Sequence, residues 1–173
     1  MTHVLLFVCL FCLMAGFAFL WYAHRLRTLT GLPPGSVVYV DTTKWVACQR
    51  PLFSNRYRLT GKPDYLIHQQ DMVIPVEVKS STGLTRPYDS HVLQLLAYCL
   101  LIEETEGKAP PFGLLHYPDA DFRIEYSAQA RAELINTLAQ LRADLASAEV
   151  FRSHANPGKC RSCGYRQVCA QSL

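Results

Sequence analysis

A long uncharged stretch, Val4–Ala23, opens the pattern of hydrophobic and polar positions. About 20 apolar residues in a helix span the roughly 30 Å hydrocarbon core of a bilayer. Trp21 lies near the end of the stretch, where interfacial aromatic residues are common, and Arg25 follows it. The pattern predicts a single-pass membrane anchor within residues 1–27 and, by the positive-inside rule, a cytoplasmic globular part.

A cleaved signal peptide is the alternative for this stretch. It is less favoured because signal peptides begin with a positively charged region, and Met1-Thr2-His3 contains neither Lys nor Arg. Residues 28–36, which include Pro33-Pro34, are predicted to form a linker. Residues 37–173 are long enough to bury one hydrophobic core and are predicted to form one domain.

Short apolar runs separated by turn signals follow the linker, and they predict a mixed α/β fold. The runs Arg58–Ile67 and Val73–Lys79, separated by the polar His68–Asp71, are typical of a β-hairpin. A continuous apolar run predicts a helix over His91–Ile102. The other predicted elements are strands over Val37–Val40, around Lys44–Cys48, over Phe112–Tyr117 and over Phe122–Tyr126, and a helix from a Ser127 cap to about Val150 with Leu134, Ile135, Leu138, Leu141 and Leu145 on its inner face.

Charged residues on the second strand of the hairpin suggest a metal site. Because side chains alternate along a strand, Glu77 and Lys79 share one face, and Asp64 is expected across the hairpin from them. Neighbouring carboxylates repel each other unless a cation lies between them, and Mg²⁺ or Mn²⁺ prefers such oxygen ligands. Lys79 would orient the attacking water or stabilise the transition state. A surface salt bridge is the structural alternative.

Gln94 and Tyr98 lie four residues apart on the predicted helix and therefore share a face. In the functional interpretation, Gln94 contacts a metal-bound water, the substrate or Lys79, and Tyr98 reaches a phosphate or orders the site. In the structural alternative, Gln94 is exposed at the helix start and Tyr98 belongs to the core. His91, one turn earlier, would face either the site or the helix surface.

The sequence resembles RecB-like nucleases of the PD-(D/E)XK superfamily, and within them the iron–sulfur-bearing, CRISPR-associated exonuclease branch. Four motifs carry the resemblance: Gly61-Lys-Pro-Asp64, Val76-Glu-Val-Lys-Ser80, Gln94-x3-Tyr98 and Cys160-x2-Cys163-x5-Cys169. It implies a restriction-endonuclease-like core, a mixed sheet with flanking helices. It also implies hydrolysis of DNA phosphodiesters, often exonucleolytic on single strands, with Mg²⁺ or Mn²⁺ bound by Asp64, Glu77 and the Val78 carbonyl. One departure is that no histidine occurs between His24 and His68, where this branch carries one.

The C-terminal cysteines predict a second metal site. Cys160, Cys163 and Cys169 are spaced so that their thiolates can bind one metal. Cys48 is the first candidate for a fourth ligand, and His154 is the second if the metal is zinc. The resemblance favours a [4Fe–4S] cluster, while spacing alone also permits Zn²⁺ or free or disulfide-linked thiols.

Charge excludes a strongly basic nucleic-acid binder. The chain has a net charge of +3, and without Arg25 and Arg27 it holds 15 Lys and Arg against 14 Asp and Glu. Local cations are the candidate phosphate contacts, with solvated surface charge as the alternative. They are Arg56, Arg58, Lys62, Arg161 and Arg166.

Together these features predict a membrane-anchored, metal-dependent DNA nuclease that acts as an exonuclease on single-stranded DNA. The alternative is a catalytically weak, nuclease-derived module that binds DNA or a protein partner and carries a structural iron–sulfur or zinc site. A third hypothesis assigns the cysteines to redox sensing or a zinc knot without a nucleic-acid role.

Overall fold

The computed structural model describes residues 10, 12–19, 21–22, 35–37 and 44–173. Much of the predicted membrane span, most of the predicted linker and the end of the predicted strand at 37–40 therefore lie outside the described residues. Residues 12–19 are helical. Within the described part of the chain, no helix combines the length and apolar character needed to cross a membrane.

The chain divides into two compact units, Met1–Ile135 and Asn136–Leu173. The first contains a six-stranded mixed sheet and a separate two-stranded sheet. The strands are β1 Ser36–Val37, β2 Trp45–Ala47, β3 Leu52–Ser54, β4 Leu59–Gly61, β5 Tyr65–Gln69, β6 Met72–Val78, β7 Phe112–Tyr117 and β8 Ala120–Glu125. The large sheet has the order β1-β8-β7-β6-β5-β2, and β3 pairs with β4 in the small sheet. Only β6 and β7 are parallel among the described strand pairs.

Helix α1, Asp89–Glu106, connects the parallel strands β6 and β7. It packs against β6, β7 and β8 and also against the small sheet. Contact on both sides explains why its middle, Leu95–Ile102, is almost continuously apolar and buried instead of amphipathic. Gly113 of β7 permits the close approach, because a Cβ there would lie 2.7 Å from Leu95 Cγ. The predicted mixed α/β core is confirmed.

The predicted hairpin is present, but its first strand is shorter than expected. β5 and β6 pair antiparallel around a turn at Gln70-Asp71, and Gln70 adopts a positive φ of 54°. The predicted strand Arg58–Ile67 is wrong as one element, because β4 ends at Gly61 and belongs to the small sheet. Pro63 interrupts the run, since proline has no N–H to donate to a strand ladder.

Helix α2, Ala128–Ala146, begins in the first unit and ends in the second. Its predicted cap is confirmed, because the Ser127 hydroxyl accepts a hydrogen bond from the Ala130 N–H at 3.1 Å. Leu134 is buried as predicted, but Leu141 and Leu145 are 53 % and 86 % exposed, so the inner face predicted for them is wrong. The heptad-like spacing predicts only which residues share a face, whereas burial requires a partner surface. The second unit also contains the short helix α3, Pro157–Arg161.

Candidate active site

The hairpin β5–β6 places two carboxylates side by side. Tyr65 pairs with Val76, and continuing this register by one step sets Asp64 opposite Glu77. The backbone N–H of Val78 donates to Asp64 Oδ2 at 2.8 Å, which fixes the Asp64 carboxylate at the end of β6. Asp64 is exposed, whereas Glu77 is only 6 % exposed. The structure therefore brings together the carboxylates predicted to share a metal.

Lys79 and Gln94 converge on one oxygen of the Glu77 carboxylate. Lys79 Nζ donates to Glu77 Oε1 at 2.9 Å, and Gln94 Nε2 donates to the same oxygen at 2.7 Å. Gln94 Oε1 in turn accepts from Lys79 Nζ at 2.7 Å. The three side chains form a closed triangle in which each contacts the other two. The alternative that leaves Gln94 exposed at the helix start is therefore wrong, and its predicted contact with Lys79 is present.

The second oxygen of Glu77 has a different environment. Among the described residues, Oε2 is buried and has no hydrogen-bond partner. Burial raises the pKa of Glu77, the nearby charge of Asp64 adds to the increase, and the hydrogen bond and charge of Lys79 oppose it. A buried carboxylate oxygen without a partner is costly unless it meets a cation. These two carboxylates therefore fit a hard divalent ion such as Mg²⁺ or Mn²⁺.

Tyr98 holds Gln94 in this arrangement. Its hydroxyl accepts a hydrogen bond from Gln94 Nε2 at 2.7 Å, so both amide hydrogens of Gln94 are used. Burial raises the pKa of the Tyr98 phenol, and the charges of Glu77 and Asp64 act in the same direction, so the phenol is protonated at neutral pH. Tyr98 is buried in the core, as the structural alternative predicts, and it also contacts Gln94. Its functional role stays a prediction.

Gly61 determines where the Tyr98 ring lies. A Cβ at Gly61 would stand 2.7 Å from Tyr98 Cε1 and 3.1 Å from Cδ1, closer than non-bonded carbon atoms approach. The end of β4 can therefore lie against the ring only because residue 61 is glycine. The sequence pattern included Gly61 in a motif but provided no role for it, since its partner lies 37 positions away on α1.

A polar network fixes the small sheet to the far end of α1. Arg131 Nε donates to both carboxylate oxygens of Glu103, at 2.9 and 3.1 Å, and Arg131 Nη2 donates to the Tyr57 hydroxyl at 3.1 Å. Ser54 Oγ donates to Glu104 at 3.1 Å. These contacts hold the chain that leads into Gly61 and Asp64, so they support the site without belonging to it.

The predicted phosphate-binding cations lie on the surface, and the structure assigns one of them another contact. Arg56 is 3.7 Å from the Glu104 carboxylate, although its side chain is 71 % exposed. Arg58 lies in the β3–β4 turn with a φ of 42°, and Lys62 is exposed beside Asp64. In the second unit, Arg161 and Arg166 are exposed near the cysteines. Their role in binding DNA stays a prediction.

The cysteines predicted to bind a second metal do not form a ligand set here. No group of three or more His, Cys, Asp or Glu side chains suited to a metal ion occurs in the described ranges. Cys160 is buried, whereas Cys163 and Cys169 are exposed. Cys163 Sγ accepts a hydrogen bond from the Tyr165 N–H at 3.4 Å, and Cys48 Sγ donates to the Arg50 carbonyl at 3.2 Å. The N–H···S bond is of the kind that tunes thiolate ligands, but the cluster stays a prediction.

The two central histidines have defined partners. His91 Nδ1 lies 2.8 Å from the Tyr117 hydroxyl. Burial lowers the pKa of His91, and the charge of Lys79 lowers it further, so the imidazole is neutral at pH 7. His116 pairs with Asp121 through Nδ1 and meets the Trp45 ring edge-on at 5.1 Å between centroids.

Comparison with known proteins agrees with this geometry. Residues 16–170 match the family model of the PD-(D/E)XK nuclease superfamily. The chain is 28 % identical over 116 residues to the CRISPR-associated exonuclease Cas4 of Francisella tularensis subsp. novicida (strain U112); the match covers 67 % of this chain but only 58 % of that relative. A solved structure, the crystal structure of SSO0001, has a TM-score of 0.50 and 18 % identity, over 92 % of this chain and 72 % of that one. At this identity the second likeness shows the fold alone.

Proposed function

Because the chain belongs to the PD-(D/E)XK nuclease superfamily, we propose that it is a metal-dependent deoxyribonuclease that hydrolyses phosphodiester bonds, as an exonuclease on single-stranded DNA. The observation that carries the proposal is the Glu77 carboxylate. One oxygen is held by Lys79 and Gln94, and the other is buried beside Asp64 without a hydrogen-bond partner in the part of the chain that the structure describes. The exonuclease and single-strand preference rests on the resemblance and on the similarity to Cas4.

Each side chain has one task in the proposed reaction. Asp64, Glu77 and the Val78 carbonyl would hold Mg²⁺ or Mn²⁺, which when bound lowers the pKa of water and neutralises charge on the phosphate. Lys79 uses two N–H donors on Glu77 and Gln94. Its third donor is left to orient the attacking water or to contact a phosphate oxygen. Gln94 positions Lys79, and Tyr98 positions Gln94.

The direct test is cleavage of labelled DNA by the purified full-length chain. With Mg²⁺ or Mn²⁺, we expect single-stranded DNA to be shortened from its ends and the reaction to stop in EDTA. A protein that is folded and metal-loaded but cuts neither single- nor double-stranded DNA would contradict the proposal. Binding of DNA without turnover would instead support the nuclease-derived binding module.

Metal binding should also be visible in the stability of the fold. A ligand that binds only the native state at about 100 times its Kd stabilises a protein by about 2.7 kcal/mol. Saturating Mg²⁺ or Mn²⁺ is thus expected to raise the unfolding temperature of the wild-type chain by on the order of 5 °C or more. Asp64→Asn should abolish most of the increase, and Asp119→Asn is a control, since Asp119 accepts the Gly83 N–H in another loop. An equal increase in Asp64→Asn would place the ion elsewhere.

The metal-induced increase in unfolding temperature should also depend on pH. Burial raises the pKa of Glu77, so protons compete with the metal at higher pH than for an exposed glutamate. The pKa of Glu77 is higher in the folded protein than in the unfolded chain. In the metal-free protein, Glu77 therefore stabilises the fold fully at a pH below its pKa in the unfolded chain. This contribution is lost as the pH rises through its pKa in the folded protein. The metal-induced increase in unfolding temperature should therefore shrink as pH is lowered from about 8 to about 5. An increase that is constant over this range would contradict the assignment of Glu77.

We propose in addition that the N-terminal stretch anchors the protein in a membrane and that Cys160, Cys163, Cys169 and Cys48 bind a [4Fe–4S] cluster. One anaerobic preparation of the full-length chain tests both predictions. The protein should stay with the membranes after an alkaline wash, and detergent-purified protein should be brown, with iron and acid-labile sulfide that Cys160→Ala removes. Zinc in place of iron would support the alternative site, and full release by the wash would contradict the anchor.

A further inference from the structure

An exposed aromatic ring lies at the N-terminal end of the helix that carries Gln94 and Tyr98. Tyr88 is the N-cap residue of α1, and 51 % of its surface is exposed. Residues three and four apart share a helix face, so His91, Gln94 and Tyr98 form a stripe along α1. Tyr88 has an extended backbone (φ −68°, ψ 141°), but its ring contacts His91 and therefore lies next to the N-terminal end of this stripe. A strand bound at the Glu77 triangle and running toward the start of α1 would meet the Tyr88 ring.

The contact between Tyr88 and His91 leaves a face of the Tyr88 ring open. The two ring centroids are 5.3 Å apart and the planes are at 90°, a T-shaped arrangement. In such a pair one ring presents its edge to the face of the other, so His91 covers at most one face of Tyr88. The His91 ring is itself held by its hydrogen bond with the Tyr117 hydroxyl. Because His91 is neutral, its contact with Tyr88 orients the ring without adding a positive charge.

The backbone of Tyr88 is held rigidly. Its carbonyl accepts hydrogen bonds from the N–H groups of His91 and Val92, at 3.0 and 3.1 Å. Pro87 before it is buried, and the preceding loop is fastened where the Gly83 N–H donates to Asp119 Oδ2 at 2.6 Å. An exposed aromatic ring on a fixed backbone loses little conformational entropy when a flat ligand stacks on it.

We propose that Tyr88 stacks on an unpaired base of the DNA strand next to the phosphate held at the site. This inference rests on the proposed nuclease function and adds a side chain that contacts a base of the substrate. Inside a duplex both faces of a base are covered by its stacked neighbours, so the contact favours single strands, whose bases can unstack. Stacking on an aromatic side chain is worth about 1–3 kcal/mol per base and tolerates any base.

The test is steady-state cleavage of single-stranded oligonucleotides by Tyr88 variants of the full-length chain. Tyr88→Ala should raise KM about 10-fold with little change in kcat, and Tyr88→Phe, which retains the ring, should behave as wild type. The increase should persist at high salt, because stacking releases no counterions, unlike the phosphate contacts. Phe151→Ala is the matched control, since that ring is 73 % exposed in the second unit.

A scan of strands that lack a single base identifies the stacked position. One abasic position should raise KM for the wild-type enzyme to the value of Tyr88→Ala and leave Tyr88→Ala unaffected. If wild type cuts DNA but Tyr88→Ala has the same KM, or if every abasic strand affects both enzymes equally, the stacking inference is wrong and the nuclease proposal stands. If wild type cuts no DNA, it is the proposed function that fails.

Discussion

Glu77→Gln is expected to lower the rate of DNA cleavage at least about 10³-fold while the protein remains folded. The substitution keeps the size of the side chain and the oxygen that accepts from Lys79 and Gln94. It removes the negative charge that would hold the metal at the buried second oxygen, and the metal supplies both the nucleophile and charge neutralisation. Losses of this size follow when one such electrostatic element is removed from an active site. The measurement is the single-turnover cleavage rate at saturating Mg²⁺.

The matched control is Glu125→Gln. The Glu125 side chain is 54 % exposed and forms an ion pair with Arg123. Glu125 lies opposite Phe112, the first residue of β7, whereas the pairing of β7 with β6 begins at Leu114. It should cut DNA as wild type does. Without metal, Glu77→Gln should unfold close to or above the wild-type temperature at neutral pH, because ionised Glu77 is disfavoured by burial. If Glu77→Gln is folded and retains more than about a tenth of the activity, Glu77 is not a metal ligand.

Gly61→Ala is expected to reduce the rate of DNA cleavage about 100-fold, because it displaces the neighbouring Tyr98 ring. The added methyl group would lie 2.7 Å from the Tyr98 ring, so the ring must move. Its movement breaks the hydrogen bond to Gln94 and releases the amide that positions Lys79. Displacement of a positioning group by about 1 Å costs on the order of 10²-fold in rate. Overpacking should also destabilise the fold by about 1–3 kcal/mol.

A double-mutant cycle separates positioning from general crowding. In a Tyr98→Ala background the clash with the ring is gone, and the close contact that a Cβ at Gly61 would still meet is Leu101 Cδ1, at 3.2 Å, so adding Gly61→Ala should change the rate less than about 2-fold. Gly113→Ala is the stability-matched control, because its methyl group would press equally closely on Leu95. It should lower the unfolding temperature with a smaller loss of activity. If Gly113→Ala slows cleavage as much as Gly61→Ala does, general strain on α1 explains the loss of activity, and displacement of Tyr98 does not.

The parts of the site that could be predicted from the sequence are those set by local geometry. Alternation along β6 places Glu77 and Lys79 on one face, and the spacing of four residues on α1 brings Gln94 to Tyr98. The hairpin sets Asp64 beside Glu77. Each of these relations depends on a repeat of two or 3.6 residues or on one short turn, so the pattern of residue types is sufficient.

The parts that could not be predicted depend on contacts between distant elements. Glu77 lies in the interior of the large sheet only because β7 pairs with β6, and this pairing forms after the chain has passed through α1. The close approach of Gly61 to Tyr98 requires the small sheet to pack on the same helix. Conversely, the apolar spacing that includes Leu141 and Leu145 is real, yet these side chains are exposed. A periodic pattern identifies a face, and only tertiary structure determines what covers it.

The order of the strands has a consequence for how the protein is made. All five side chains proposed for the chemistry come from residues 64–98, so they leave the ribosome within one short interval of synthesis. Glu77, however, lies on a strand whose other neighbour, β7, starts at Phe112, and β7 in turn pairs with β8. A nascent chain that ends at Tyr98 would thus contain every proposed catalytic group but would lack β7, which pairs with the strand that carries Glu77. If the proposed nuclease activity needs the complete sheet, truncated translation products that end before β7 would lack it.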